Sequence, residues 1–75
     1  MPMKPEDQQI FREYLAGLDD VQLESVSRDY IWLSEAGPEI SRFSEYRWKR
    51  DACREECERR KKPQIYQRAG AEARA

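Results

Sequence analysis

The sequence predicts an all-α protein, a small three-helix bundle or helical hairpin with a long projecting third helix. Its apolar residues recur at intervals of three and four, as they do along one face of an α-helix. Glycine and proline fall between these periodic stretches, at Gly17 and at Gly37-Pro38. Only 12 of the 75 residues are Leu, Ile, Val or Phe, so we expect one domain, residues 1–62, with a thin core.

The first helix is predicted over residues 5–17. Pro5 suits the first helical position, and Glu6 and Asp7 suit the positive end of the helix dipole. Gly17 can end this helix in a left-handed conformation. One apolar stripe is expected along it, formed by Ile10, Phe11, Tyr14, Leu15 and Leu18.

The second helix is predicted over residues 20–36. Asp19 can cap its free N–H groups while Gln22, three residues later, reaches back to complete a capping box. The expected core-facing seam steps by three and four residues: Leu23, Val26, Tyr30 and Leu33. Trp32 lies roughly 180° from that seam at 100° per residue, so this helix has apolar groups on opposite faces.

The third helix is predicted over residues 38–62. Pro38 is well placed to begin it, no glycine or proline interrupts it, and Pro63 forces a stop near Lys62. Because the first two helices are shorter, we expect the third to project beyond them. The remaining segment, 63–75, consists mainly of small and polar residues and is expected to be a flexible tail.

Charge is distributed unevenly along the chain. Residues 1–46 carry a formal charge of −6 and residues 47–75 a charge of +5, which suits head-to-tail self-association or an acidic partner at one end. No apolar run is long enough for a membrane span, and the N-terminus has no apolar signal segment. These features predict a protein of the reducing cytoplasm without membrane association.

Both cysteines, Cys53 and Cys57, fall on the apolar stripe of the third helix, where free cysteine packs as a small hydrophobe. A zinc site requires about four ligands, and the chain supplies two cysteines and no histidine. A disulfide between them is disfavoured, since i and i+4 Cβ atoms lie about 5–6 Å apart and a disulfide needs about 3.5–4.5 Å. A redox role for the thiols stays open, but we expect packing and predict no metal or cofactor.

The basic run that ends at Lys62 raises the possibility of nucleic-acid binding. Its cations would neutralise phosphates, and the residues concerned are Arg59, Arg60, Lys61 and Lys62. Carboxylates are interspersed with these bases, however, and Glu55–Arg59 and Glu58–Lys62 are favourable i, i+4 pairs. A solvated helix end is the preferred interpretation, and nucleic-acid binding is the alternative.

Enzymatic activity is not expected. The chain has no histidine and no glycine-rich loop, and a thin helical core leaves little room for a small-molecule substrate or for an apolar pocket that would shift a carboxylate pKa.

The favoured hypothesis is a non-catalytic protein–protein interaction module, such as an adaptor, inhibitor or regulatory subunit, with a homodimer as one form that it could take. Exposed Trp and Tyr beside Arg are typical of contact surfaces. The candidate partner-binding residues are Trp32, Tyr46, Arg47, Trp48 and Arg50.

Overall fold

A computed structural model describes residues 3–36 and 43–75, which form four α-helices and no strand within those ranges. Their bounds are Pro5–Ala16 (α1), Asp20–Ala36 (α2), Phe43–Arg59 (α3) and Pro63–Ala73 (α4). The all-α class is therefore confirmed, and the first two predicted helices agree with α1 and α2 to within a residue. The predicted start of the third helix at Pro38 lies outside the described residues.

The start of α2 follows the local signal in the sequence. The Gln22 backbone N–H donates to Asp19 Oδ1 at 2.7 Å, and the Asp19 N–H donates to Gln22 Oε1 at 3.1 Å. This reciprocal pair is the predicted capping box. The predicted left-handed conformation of Gly17 is wrong, because its φ is −85°. The Gly17 N–H donates to Glu13 O and Tyr14 O in a right-handed conformation. The capping residue of α2, Asp19, follows only two residues later.

The end of α3 has the geometry of a Schellman motif. Lys61 has a φ of 60°, its N–H donates to Glu58 O at 2.9 Å, and the Lys62 N–H donates to Cys57 O at 2.9 Å. These two bonds satisfy the last carbonyls of the helix. Pro63, predicted to stop the third helix near Lys62, is then the first residue of α4.

Residues 63–73 form a helix, so the expectation of a flexible tail over 63–75 is corrected. Ile65, Ala69 and Gly70 are buried along one face of α4, which packs against α2 and α3. A Cβ at Gly70 would meet Ile31 Cδ1 of α2 at 4.0 Å, an ordinary van der Waals distance, and Arg74 Nη1 at 3.0 Å. Two of the three buried residues are small, so the composition of this segment did not indicate a packed helix.

The long projecting third helix is not confirmed. Over the described residues α3 has 17 residues, the same number as α2. The C-terminal half of α3 is covered within the chain, since Cys53 and Cys57 share a core with Ile65 of α4.

The molecule is a flat slab with Cα extents of 32 × 31 × 15 Å. Two packed layers of helix have a Cα thickness of about 13–15 Å, given a Cα radius of about 2.3 Å and an interaxial distance of about 8–10 Å. α2 packs against α3 and α4, and α3 contacts both α1 and α4. The core is thus a thin layer, and every helix retains an outer face.

The buried faces of α1 and α2 differ from the predicted stripes. On α1, Phe11 and Leu15 are buried, while Ile10 and Tyr14 are exposed, because α1 packs mainly on one neighbour, α3. The buried residues of α2 are Leu23, Ser27, Ile31 and Ser34, and the predicted Val26, Tyr30 and Leu33 are only partly buried. Since α2 is flanked by both α3 and α4, its small serines allow the close approach that larger side chains would prevent.

Candidate functional site

Trp32 lies on the outer side of α2 with 55% of its surface exposed. It lines a surface groove of about 470 Å³ between α2 and the end of α4. The other residues of this groove, called here the Trp32 groove, are Arg28, Asp29, Leu33, Glu72, Ala73 and Ala75. The groove combines one large aromatic ring with apolar and charged side chains, which is the composition of a contact surface.

Some charged residues around the Trp32 groove form ion pairs within the chain, and Glu72 forms none with the described residues. Arg28 donates to Ser25 Oγ at 3.2 Å and lies 3.6 Å from Asp29 Oδ1. Glu72 makes no ion pair with any other residue in the described part of the chain. Two bases flank the groove on the α4 side, but both are occupied: Arg68 Nε bonds to Glu24 Oε1 at 2.9 Å, and Arg74 Nε bonds to Glu35 Oε1 at 3.2 Å.

The remaining residues predicted for partner binding lie in different surroundings from Trp32. The half-buried Trp48 contacts the Phe11 ring at 6.0 Å, and the Arg12 guanidinium lies 5.1 Å from the Trp48 ring centroid. Tyr46 is half-buried beside Tyr30, with ring centroids 6.2 Å apart. These aromatic contacts join α1, α2 and α3, so both side chains contribute to the fold.

The two predicted arginines of α3 also differ from each other. Arg50 is half-buried; it donates to Asp51 Oδ1 at 3.2 Å and to Ser34 Oγ at 3.4 Å. Arg47 is exposed on the surface of α3. Of the five predicted residues, Trp32 lines the groove with its ring largely in solvent, and the other four are not among the residues that line it.

The basic run predicted as the alternative nucleic-acid site is mostly engaged in ion pairs. Arg59 bonds to Glu56, and Lys62 Nζ lies 2.6 Å from Asp20 Oδ2. Lys61 is exposed and occupies the left-handed turn position. Arg60 pairs with Glu56 and Asp20. Three of the four cations thus have carboxylate partners within the chain, which reduces the positive charge available to phosphate.

Arg60, directly after the end of α3, contacts the junction between α1 and α2. Its Nε donates to Glu56 Oε2 at 2.8 Å and its Nη1 to Asp20 Oδ1 at 3.0 Å. Its Nη2 donates to the carbonyl oxygens of Leu15 at 2.9 Å and Leu18 at 2.7 Å. A cation at carbonyl oxygens beside the C-terminus of α1 also complements the negative end of the α1 dipole. Arg60 therefore ties α3 to the end of α1 and the start of α2.

The carboxylates of this network are held in their ionised forms. Burial by itself would raise the pKa of Glu56, but hydrogen bonds from Arg59 and Arg60 outweigh it and leave that pKa below its usual range. Hydrogen bonds from Lys62 and then Arg60 lower the pKa of Asp20. Glu56 thus has no tendency to act as a proton donor, because its charged form is the stabilised one.

The cysteines lie in the core, as predicted. Cys53 and Cys57 are free and fully buried, and burial raises the pKa of Cys53 to about 12 and also raises that of Cys57. The nearby Ser27 hydroxyl lowers the pKa of both thiols but does not offset the effect of burial. This hydroxyl makes no hydrogen bond of good geometry among the described residues. Since the thiolate is the nucleophile, this environment does not favour redox or nucleophilic chemistry.

A second groove, of about 400 Å³, lies between α1 and α3. Leu15, Ala16 and Ala52 contribute its apolar surface, and charged residues form its edges. Both cations of its lining have partners within the chain, since Arg12 lies over Trp48 and Arg59 bonds to Glu56, which also lines the groove. It contains no exposed aromatic ring, and it is the weaker candidate for a contact site.

The comparisons add no relative. No family model matches the sequence, and neither a curated protein nor a solved structure is significantly similar to it. Within residues 3–36 and 43–75, no helix combines the length and apolar character needed to cross a lipid bilayer. Across the same ranges, no three His, Cys, Asp or Glu side chains converge in a way that could hold a metal ion.

Proposed function

We propose that this chain is a non-catalytic protein-binding module, a small adaptor, inhibitor or regulatory subunit, that contacts its partner through the Trp32 groove. The observation that carries the proposal is the exposed indole of Trp32 beside a concave surface of about 470 Å³. Tryptophan is the side chain most enriched among residues that dominate binding energy, particularly where it fits a pocket on the partner.

The interior supports a binding role more than a catalytic one. The two buried nucleophiles are held as thiols, and the buried carboxylate is held by two arginines. No described group combines a shifted pKa with access to a groove in a way that suits acid–base chemistry, since Glu56 is kept ionised by its partners. We therefore assign the groove to recognition.

A different protein is the favoured partner over a second copy of this chain. The opposite charges of the two halves of the chain, which suggested head-to-tail pairing, form ion pairs within the molecule. Three acidic residues of α2 pair with basic residues between residues 60 and 74. These pairs are Asp20 with Arg60 and Lys62, Glu24 with Arg68, and Glu35 with Arg74. Self-association through opposite charges would have to break them. Cytoplasmic residence stays a prediction from the sequence.

The test is affinity capture from cells that produce the protein, with the wild type and two single variants. Trp32→Ala removes the proposed contact, while Val21→Ala removes another apolar side chain of α2, one that is 78% exposed and does not line the groove. A partner retained by the wild type and by Val21→Ala, and lost with Trp32→Ala, supports the proposal. A partner that binds all three proteins equally refutes the assignment to Trp32.

Two further measurements separate the alternatives. Sedimentation at high micromolar concentration detects self-association, and a dimer that Trp32→Ala dissociates would identify a second copy as the occupant. Titration with generic DNA and RNA at low salt tests the basic run, and steeply salt-dependent binding would favour the nucleic-acid alternative.

A further inference from the structure

The charge and the exposed ring of the Trp32 groove point to a particular partner chemistry. Resting on the proposed function, we propose that the partner's contact segment presents an arginine whose guanidinium stacks on Trp32 and is held by Glu72 and Asp29. The indole face attracts a cation through its quadrupole, and among aromatic side chains tryptophan does so most strongly.

The same fold shows how its two tryptophans differ in this respect. The Arg12 guanidinium lies 5.1 Å from the Trp48 ring centroid, so Trp48 is already stacked within the chain. No Lys or Arg of the described residues lies over the Trp32 ring. Arg28, one turn before Trp32, is directed instead to Ser25 Oγ and Asp29. The Trp32 face is thus open to a cation from outside.

The groove lining is complementary to such a cation. It contains two carboxylates, Asp29 and Glu72, and one base, Arg28. Asp29 forms an ion pair with Arg28 at 3.6 Å, whereas the Glu72 carboxylate has no ion-pair partner among the described residues. The flanking bases Arg68 and Arg74 are each neutralised by a carboxylate of α2. The residual charge in the groove is therefore negative, and it lies beside the exposed ring.

Arginine fits these features better than lysine. Its planar guanidinium can stack on an indole while its edge donates to carboxylates, whereas an ammonium is a compact and strongly hydrated charge. A groove of about 470 Å³ accommodates one such side chain together with short flanking backbone.

The experiment is an NMR titration at low salt with three capped tripeptides, Gly-Arg-Gly, Gly-citrulline-Gly and Gly-Leu-Gly. Citrulline keeps the shape of arginine and removes its charge. We expect the arginine peptide to shift the Trp32 indole N–H signal and to leave that of Trp48 in place. Loss of the charge should weaken binding about two- to fivefold, the range for exposed cation–π contacts. The Trp32→Phe variant assigns the two indole signals.

Matched variants locate the site. Glu72→Gln should weaken binding of the arginine peptide, while Glu58→Gln, an identical charge change at an exposed residue of α3, should not. Trp32→Leu, followed through the backbone signals of Leu33 and Ala73, should weaken it as well, although an apolar side chain remains. All of these side chains are at least partly exposed, and a native far-UV CD spectrum verifies that each variant is folded.

Three outcomes would overturn the inference: equal binding of the arginine and citrulline peptides, no movement of the Trp32 signal, or unchanged binding by Trp32→Leu. If only the leucine peptide binds at Trp32, the groove is a contact site for an apolar side chain. The proposed function then stands without the cation. If no peptide binds there, this inference fails, and partner capture with Trp32→Ala decides the proposed function separately.

Discussion

Replacing Arg60 with methionine should destabilise the fold by about 3 kcal/mol, because one side chain joins three helices. Its guanidinium makes four hydrogen bonds, to Glu56, Asp20 and the carbonyl oxygens of Leu15 and Leu18. Methionine preserves much of the length and apolar stem of arginine but removes every donor. The substitution leaves the carboxylate of Glu56, a residue with 7% of its surface exposed, with Arg59 as its remaining ion-pair partner.

The magnitude follows from the surroundings of each bond. Hydrogen bonds to charged groups are worth about 1.5–3 kcal/mol each, but contributions within one network do not add. Removing one member of a buried ion pair costs about 3–5 kcal/mol. The low end applies here, because Arg59 stays on Glu56 and Asp20 keeps Lys62. A 75-residue domain has a total stability of roughly 4–11 kcal/mol, so the loss is a large fraction of it.

The assay is urea unfolding followed by far-UV CD, with Arg59→Met as the matched control. Both variants remove one positive charge and one ion pair with Glu56, but the Arg59 side chain is 66% exposed and that of Arg60 is 18% exposed. We expect a loss of less than about 1 kcal/mol for Arg59→Met, as for a surface pair. In thermal unfolding, Arg60→Met should lower Tm by about 12–24 °C, at about 4–8 °C per kcal/mol for a domain of this size.

A second variant tests the reason for the effect. If the cost comes from stranding the Glu56 carboxylate, then adding Glu56→Leu to Arg60→Met should restore part of the stability, because no buried charge is left unpaired. Equal destabilisation by Arg60→Met and Arg59→Met would refute the assignment of Arg60 as the connection between the helices.

Three other expectations concern single residues. Lys61→Gly should stabilise the protein by about 1 kcal/mol relative to Lys61→Ala in urea unfolding, because a left-handed φ of 60° is costly for any residue with a Cβ; equal stabilities would contradict this. The pKa of Cys53 is raised to about 12 in the fold. The contribution of the Cys53 thiol to the free energy of unfolding should therefore be fully present below the unfolded-state pKa near 9 and be lost as pH rises from there toward 12. Cys53→Ala should flatten that alkaline decline, and rapid alkylation of native thiols at neutral pH would show the burial to be wrong. The pKa of Glu56 is lowered in the fold, so its contribution is present above its ordinary value of 4.5 and is lost as pH falls below it. In acid titrations monitored by CD, Glu56→Gln should lose less stability on acidification than the wild type, and parallel curves would exclude Glu56 as the source.

The sequence by itself determined the features that depend on neighbouring residues. The capping box of Asp19 and Gln22 fixed the start of α2, and Pro63 separated the last two helices. Both signals act over a few residues, through backbone N–H groups and a fixed φ, so no distant contact is needed to interpret them. The placement of Cys53 and Cys57 in the core followed from the stripe that they share with larger apolar residues.

The tertiary structure decided which faces are buried and which side chains remain available to a partner. Whether Ser27 or Val26 faces the core depends on where α3 and α4 lie around α2, and a helical period allows both choices. The fourth helix was not predicted because two of its three buried residues, Ala69 and Gly70, are small and bury little apolar surface. Arg60 meets Leu15 and Asp20 across 45 and 40 positions of sequence, and no local pattern specifies such a pairing. The Trp32 groove arises in the same way, since α2 and α4 form it only once they pack together.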